Sequence, residues 1–227
     1  MARKQQSRGA CGFCGKEMTR GGMLKHLATC AARLHAIAEA GDRSGAIEPI
    51  YHLQVRDAWG GDYWLNLEMP GSAKLKDLDS YLRGIWLECC GHMSSFSVGS
   101  WTDEIPMTTR IDRAFTVGTE LTHIYDFGTS SETLVKAVEV RKGKTMTARP
   151  VYLMVRNNLP ETECIECDQP ATGLCMQCVI EDENPGQFCA KHLKKHLKTH
   201  DEYSPLPILN SPRMGMCGYD GPATPPY

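Results

Sequence analysis

The sequence lacks several features that would place it in a common functional class. Its apolar runs all fall short of the roughly 20 residues that a membrane-spanning helix needs. The formal net charge is only −2, so the chain as a whole gives no signal for binding nucleic acid or a membrane. The basic start, residues 1–8, is not followed by the apolar segment of a signal peptide. We therefore expect a cytoplasmic protein that makes no membrane contact.

Patterns typical of catalysis are also missing. No Ser/His/Asp set, carboxylate pair or open zinc site stands out in the spacing of the polar residues. The tripeptide Asp126-Phe127-Gly128 occurs in kinases, but no Gly-rich phosphate loop or catalytic-loop motif accompanies it here. A hairpin turn explains the tripeptide better, and an enzyme is the least favoured of the functions considered.

Cysteine, by contrast, is abundant. The chain has 11 cysteines, which should be reduced in a cytoplasmic protein. An odd number argues against a closed set of disulfide bonds, and eight of the cysteines lie in two terminal clusters with histidines at short spacings. Clusters of this kind bind zinc. We expect three zinc ions per chain, one in the first cluster and two in the second.

The first cluster lies in residues 1–45, together with a helix. Its four ligands are Cys11, Cys14, His26 and Cys30. A tight Cys-x2-Cys turn supplies two of them, and the other two, four residues apart on a helix, face the same side. This closed Cys3His set is typical of a structural C2HC-type finger rather than of a catalytic site. A segment this small has little core, so metal binding should contribute about 10 kcal/mol or more to its folding.

Basic side chains surround this finger and make nucleic acid a candidate partner. They are Arg3, Lys4, Arg8, Lys16, Arg20 and Lys25. Clustered basic charge is the electrostatic mark of phosphate binding. However, the finger is single, and Gly21-Gly22 stands at the start of the helix, where base-reading side chains would lie. A solvated basic face or a protein-docking finger is therefore favoured, and nucleic-acid binding stays the alternative.

The second cluster lies in residues 160–202 and offers eight ligands. If residues 187–200 form one helix, His192 and His200 lie about 12 Å apart along its axis, too far for one ion. A crossed pairing avoids this conflict, because each ion then takes two ligands from neighbouring positions on the helix. The first predicted set is Cys164, Cys167, Cys189 and His192, and the second is Cys175, Cys178, His196 and His200. The pattern resembles a B-box-type or related cross-braced zinc finger, and that resemblance implies binding to another protein.

Between the clusters, residues 48–156 predict an α+β domain. Two hairpins are expected, one with strands at 50–57 and 62–69 and one with strands at 120–126 and 132–141. Leu75, Leu78 and Leu82 recur at helical spacing, which predicts an amphipathic helix over 74–88. The order of elements predicts a mostly antiparallel sheet with one packed helix, and a β-grasp-like sheet is one arrangement that satisfies it. Residues 203–227 form a tail rich in Pro and Gly.

Segments of the central domain resemble the Ri-plasmid ORF-3-like family, whose members are often labelled insertion-element passenger TnpR-like proteins. The residues that carry the likeness are Tyr51-His52-Leu53-Gln54-Val55, the helix from Leu75 to Trp86, and Ile124-Tyr125-Asp126-Phe127-Gly128. The tail segment 210–219 is similar to the ending of relatives that carry zinc clusters. The resemblance implies a link to mobile elements but brings no established activity. The chain departs from the family at Thr129, where the family commonly has Asp followed by an aromatic residue.

The remaining cysteines lie outside the two clusters. Cys89-Cys90-Gly91-His92 ends the central helix, where buried small residues are favoured over a metal site or a redox pair. Cys217 is expected to pack in the tail, with a spare ligand or free thiol as the alternatives. The sequence as a whole predicts a zinc-binding, non-enzymatic interaction protein with an unknown protein partner. The alternative is a nucleic-acid-associated protein, linked to mobile elements, that uses the basic N-terminal finger.

Overall fold

The computed structural model of the protein describes residues 6–99, 101–182 and 184–222. Its strands are β1 (Arg8–Ala10), β2 (Glu17–Thr19), β3 (Glu48–Asp57), β4 (Trp64–Pro70), β5 (Ser94–Ser97), β6 (Glu104–Ile105), β7 (Glu120–Tyr125), β8 (Ser131–Gly143), β9 (Tyr152–Arg156), β10 (Gly173–Leu174), β11 (Gln187–Phe188) and β12 (Leu206–Pro207). Its helices are α1 (Arg20–Thr29), α2 (Ala31–Gly41), α3 (Leu75–Leu82), α4 (Ile111–Ala114), α5 (Met176–Glu181) and α6 (Ala190–His196). A π-helical turn, Arg83–Leu87, continues α3.

Seven of the strands form one sheet in the order β6-β5-β7-β8-β3-β4-β9. Every neighbouring pair in this sheet runs antiparallel. The predicted α+β class with a large antiparallel sheet is therefore confirmed, and the two expected hairpins are present as β3–β4 and β7–β8. The all-antiparallel order differs from a β-grasp-like sheet, in which the two central strands run parallel.

The central helix buries the apolar face that its sequence spacing predicts. The fully buried residues of α3 and the π-helical turn include Leu75, Leu78, Leu82, Ile85 and Trp86. They share one apolar core with inward-facing residues of the sheet. Regular α-helical bonding ends before residue 88, because the Glu88 N–H donates to the Arg83 carbonyl five residues earlier (2.9 Å). Gly84 lies inside that turn, and glycine weakens an α-helix. Among the described residues, no helix has both the length and the apolar character that crossing a membrane requires.

The N-terminal hairpin packs on the β9 edge of the sheet. The Gly12 N–H donates to the Met154 carbonyl of β9 (2.9 Å). Gly9 lies so close to the sheet that a Cβ atom there would stand 2.6 Å from the Arg156 carbonyl oxygen, so a larger residue would push the two apart. The fully buried Trp64 of β4 packs in one apolar cluster with residues of the hairpin and α1. The finger and the sheet are therefore joined by a continuous apolar contact.

Helix α2 is tied to the sheet by a buried network of charges. Arg33, only 2% exposed, donates from Nη2 to Glu68 Oε1 (2.9 Å) and lies 3.3 Å from Glu139 Oε2. Arg141 Nη2 donates to Glu68 Oε2 (2.8 Å). A buried carboxylate needs opposite charges and hydrogen bonds to offset its lost hydration, and two arginines supply them to Glu68. The Arg33 side chain is thus buried, and its charge does not contribute to the basic face of the finger.

The tail returns to the rest of the protein. Strand β12 pairs with β10, which also pairs with β11, so a tail strand completes the small sheet of the second cluster. Beyond β12, the Asn210 side chain exchanges hydrogen bonds with Asn157 (2.7 and 2.8 Å). Ser211 Oγ then donates to the Trp86 carbonyl (2.6 Å). These contacts anchor the described part of the tail to the central domain.

Candidate metal centres

The first predicted ligand set converges in the N-terminal finger. Strands β1 and β2 pair as a hairpin whose turn carries Cys11 and Cys14, while α1 carries His26 and ends at Cys30. The four ligand atoms lie within 4.8 Å of one another. Cys11 and Cys30 are buried against the apolar cluster around Trp64, and Cys14 Sγ, nearer the surface, lies 3.2 Å from His26 Nε2. The group therefore has a buried side and an exposed side.

The second cluster forms two groups, and their membership is that of the crossed pairing. One group is Cys164, Cys167, Cys189 and His192, and the other is Cys175, Cys178, His196 and His200. The assumption that residues 187–200 form one helix is wrong, because α6 ends at His196 and a turn follows it. The Thr199 hydroxyl donates to the His196 carbonyl (3.1 Å), which competes with further helical bonding. The turn still places His200 Nδ1 3.6 Å from Cys175 Sγ.

Most distances within these groups are close to those around a tetrahedral zinc ion, and the exception is Cys178 Sγ, which lies 2.7 Å from His196 Nε2. Zinc binds Cys sulfur at about 2.3 Å and His nitrogen at about 2.0–2.1 Å, which separates neighbouring ligand atoms by about 3.4–3.8 Å. His192 Nδ1 lies 3.3 Å from Cys164 Sγ and 3.4 Å from Cys167 Sγ. Cys167 Sγ lies 3.9 Å from Cys189 Sγ. Thiolate and imidazole together suit zinc better than calcium or magnesium, which prefer oxygen ligands.

The thiols of the second cluster differ in how readily they ionise. Burial raises the pKa of Cys164, but the Cys189 backbone N–H and the His192 ring outweigh burial and lower this pKa to about 6. Burial and the neighbouring Cys175 thiol raise the pKa of Cys178 to about 12. Because zinc binds thiolates, metal binding releases the thiol protons. The group that contains Cys178 therefore has a firmly held proton to lose, whereas the Cys164 thiol loses its proton more readily.

The fold also brings together a fourth Cys/His group. Its members are Cys89, Cys90, His92 and Cys217, and their ligand atoms lie within 4.8 Å of one another. The expectation of buried small residues at the helix end does not hold, because Cys90 is exposed and Cys89 only partly buried. The Cys-Cys-x-His run already offers three candidate ligands at short spacing, which is a local signal for metal. The fourth ligand comes from 125 residues beyond His92, so spacing alone does not identify it.

The basic residues of the finger differ in exposure. Two of them, Arg3 and Lys4, lie outside the described residues. The exposed ones are Arg8, Lys16 and Lys25. Arg20 turns toward the β3–β4 hairpin, where its Nη1 lies 3.0 Å from the place that a Cβ atom on Gly61 would take. Burial there lowers the pKa of the Arg20 guanidinium. The exposed basic charge of the described finger is therefore smaller than its sequence suggests.

A polar cluster beneath the sheet contains residue types found in catalytic sites. His123 Nε2 lies 2.9 Å from Asp79 Oδ1, and Ser94 Oγ donates to the same oxygen (2.6 Å). His123 is fully buried, and Ser94 donates to the carboxylate rather than to the histidine, so the arrangement is not a nucleophile paired with an imidazole base. A surface depression of about 270 Å³ nearby is lined by Asp79, Ser80, Arg83, Gly84 and Glu88. The cluster joins the central helix to the sheet.

Comparison with known proteins adds little to this description. No family model matches the chain, and no curated protein matches it. Among solved structures, the crystal structure of a protein of unknown function from Methanosarcina mazei Go1 is 18% identical to the chain. The match covers 48% of this chain and 68% of that one, with a TM-score of 0.40. A likeness this distant supports no conclusion about function, and the Ri-plasmid ORF-3-like resemblance stays a prediction.

Proposed function

We propose that the protein is a zinc-organised, non-enzymatic interaction protein that binds another protein. The observation that carries this proposal is the closure of the three predicted ligand sets. Each set contains four Cys or His side chains whose ligand atoms lie within 4.8 Å of one another. A catalytic zinc keeps one position for water or substrate, whereas a structural zinc has four protein ligands. Closed sets favour zinc that holds the finger and the second cluster in shape.

An exposed apolar surface near the end of the sheet is the proposed contact for the partner. This aromatic patch consists of Met93, Val98, Trp101 and Phe127, which are 73%, 53%, 50% and 45% exposed. The ring centroids of Trp101 and Phe127 lie 6.2 Å apart. The Asp126 N–H donates to the Met93 carbonyl (2.9 Å), which brings Met93 beside Phe127. Grouped exposed aromatic side chains of this kind mark protein interfaces, where Trp contributes most.

Negative charge near the aromatic patch supports a partner with basic side chains. Asp103 and Glu104 follow Trp101 closely in the chain and are exposed. Interfaces place opposite potentials against each other. The partner is therefore a protein that presents an apolar anchor bordered by Lys or Arg side chains.

The test compares a double substitution in the aromatic patch with a single control substitution outside it. Trp101→Ala/Phe127→Ala removes the centre of the aromatic patch. Trp59→Ala removes a tryptophan that is 80% exposed in the β3–β4 turn and serves as the matched control. A partner identified by mass spectrometry after affinity purification is produced separately and titrated against each purified chain. We expect binding to weaken about tenfold or more in the double variant, as for loss of a hot spot, and to be unchanged in Trp59→Ala.

Three other results would contradict the proposal. Equal affinity for the wild type and the double variant would show that the patch is not the contact. Binding of a purified DNA or RNA duplex that weakens steeply with salt would favour the nucleic-acid alternative. Self-association of the purified wild type that the double variant abolishes would make a second copy of this chain the occupant instead.

A further inference from the structure

The fourth Cys/His group has the geometry of a metal site. Cys90 Sγ lies 3.0 Å from His92 Nε2 and 3.6 Å from Cys217 Sγ. Cys89 Sγ lies 3.6 Å from Cys90 Sγ, and His92 Nε2 lies 3.4 Å from Cys217 Sγ. Three of these separations fall within the roughly 3.4–3.8 Å between ligand atoms of a tetrahedral zinc, and the distance from Cys90 to His92 is shorter. The sulfur atoms stand much farther apart than the ~2.05 Å of a disulfide bond.

Cysteine usage across the chain supports a metal at this place. All 11 cysteines fall into the four Cys/His groups. Three groups contain three cysteines each and one contains two, which accounts for the odd total without a disulfide. Cys90 and Cys217 are exposed, and an exposed thiolate is open to oxidation unless it is bound. Because these two side chains are exposed, packing in the core does not account for them, whereas metal binding does.

The tail is held in the position that brings Cys217 to the central domain. Ser211 Oγ donates to the Trp86 carbonyl (2.6 Å), and Arg213 Nη2 donates to Asp126 Oδ2 (2.6 Å). Cys217 itself has a φ of 50°, a left-handed conformation that is unfavourable for a non-glycine residue. Such a conformation persists where the surroundings impose it. A metal ligand at Cys217 is one such constraint.

A second layer of polar groups orients the ligands. The backbone N–H groups of Cys89 and His92 both donate to Tyr125 Oη (3.3 Å each). The Arg213 guanidinium lies 4.9 Å from the centre of the Tyr125 ring. Asp126 Oδ2, to which Arg213 donates, lies 3.4 Å from His92 Nε2, the nitrogen that faces the thiols, so Asp126 competes with a metal for this imidazole rather than orienting it. Tyr125 Oη is therefore the outer group that positions the ligand backbone.

We propose that Cys89, Cys90, His92 and Cys217 bind a further zinc ion that clasps the tail to the central domain. The tail leaves the second cluster through β12, so the clasp fixes the end of that module against the sheet. The aromatic patch is affected as well, since Met93 directly follows His92 in the chain. Zinc content is measured in the absence of a partner protein, so the measurement tests the clasp independently of the proposed function.

The test counts zinc in the reduced full-length chain by native mass spectrometry. Cys217→Ser removes an exposed ligand and leaves the apolar core and the other three groups intact. We expect it to hold one zinc ion fewer than the wild type, whatever the wild-type total. Asp220→Asn changes an exposed residue close to Cys217 and should keep the wild-type count. Amide hydrogens in residues 210–219 should exchange about tenfold faster or more in Cys217→Ser, because the tail opens more easily.

Several results would overturn the clasp. A Cys217→Ser chain with the wild-type zinc count would exclude ligation by this residue. A Cys90–Cys217 disulfide in the wild-type chain that persists under reducing conditions would replace the metal with a covalent bond. His92→Ala provides an independent variant that should also lose one zinc ion. If it keeps the wild-type count, the imidazole serves only to pair with Asp126, and the proposed ligand set is wrong.

Discussion

Individual charged side chains stabilise the contact between α2 and the sheet. Glu139 is about half exposed, and its Oε2 lies 3.8 Å from His52 Nδ1 and 3.3 Å from Arg33 Nη2. The His52 ring, and then the Arg33 guanidinium, lower the pKa of Glu139 from 4.5 to about 2 against the opposing effect of burial. The ionised form of Glu139 is thus favoured by folding, which links stability to pH.

The first prediction concerns Glu139→Gln. Because the folded pKa lies below the ordinary 4.5, the stabilisation is complete above pH 4.5 and is lost as the pH falls toward 2. We expect the variant to be less stable than the wild type by about 1 kcal/mol at pH 7, since partial exposure weakens the interaction. This difference should shrink toward zero at pH 2. Urea unfolding of both proteins from pH 7 downward measures it.

Metal loss at low pH affects both proteins in that experiment. The prediction therefore concerns the difference between their free energies of unfolding at each pH. Glu104→Gln alters an exposed carboxylate and should change stability by less than about 0.5 kcal/mol at any pH. A difference between wild type and Glu139→Gln that stays constant over the whole pH range would contradict the assigned role of Glu139.

At the scale of elements, short helices present the ligands. Helix α6 has only seven residues and buries none of them fully. An isolated helix of this length is unstable in water, and its packing on the small apolar cluster of the module is limited, with Leu193 against the cluster and the His196 ring 4.4 Å from that of Phe188. His192 belongs to one ligand group and His196 to the other. We therefore expect metal binding at the two groups to be the main source of order in α6.

The second prediction separates ligation from helix stability in α6. His196→Ala should lower the zinc content by about one ion and speed release of the neighbouring ion to a chelator, because both groups share the helix. Lys194→Ala changes an exposed residue of the same helix and should keep the wild-type zinc content and release rate. Zinc release is followed with a coloured chelator in excess. Equal release from all three proteins would show that His196 is not a ligand.

The whole molecule combines an apolar centre with ends that carry clustered Cys and His side chains. The central core consists of buried apolar residues from the sheet and the central helix and contains none of the proposed metal ligands among its fully buried members. The cluster in residues 164–193 has a core made largely of its own cysteines. The two parts should therefore respond differently when metal is removed.

The third prediction follows from that difference. Chelation under reducing conditions should abolish hydrogen-exchange protection in residues 164–200, because small metal modules unfold without their ion. Protection should persist in β3, β4 and β8, whose apolar core does not depend on metal. Hydrogen exchange with mass spectrometry, before and after chelation, measures both regions at once. Loss of protection in the central strands at the same rate as in residues 164–200 would contradict the independence of the core.

Many features of this protein could be predicted from neighbours in the chain. The hairpins β3–β4 and β7–β8 follow from alternating strand residues around tight turns. The buried face of the central helix follows from leucines at helical spacing. The Cys-x2-Cys pairs and helical His/Cys pairs indicate metal because turns and helices place residues three or four apart on one side. In each case a few consecutive peptide units determine the geometry.

Other features depend on how the sheet and the tail are arranged, and only the tertiary structure decided them. Cys217 meets His92 across 125 residues because the tail is anchored near Trp86 and Asp126. Arg33, although it lies beside the basic finger in sequence, is buried against Glu68. Contacts between distant residues require strand order and packing, which spacing along the chain does not encode. Local spacing therefore determined the individual ligand motifs of this protein, whereas the assembly of the fourth group was decided by the fold.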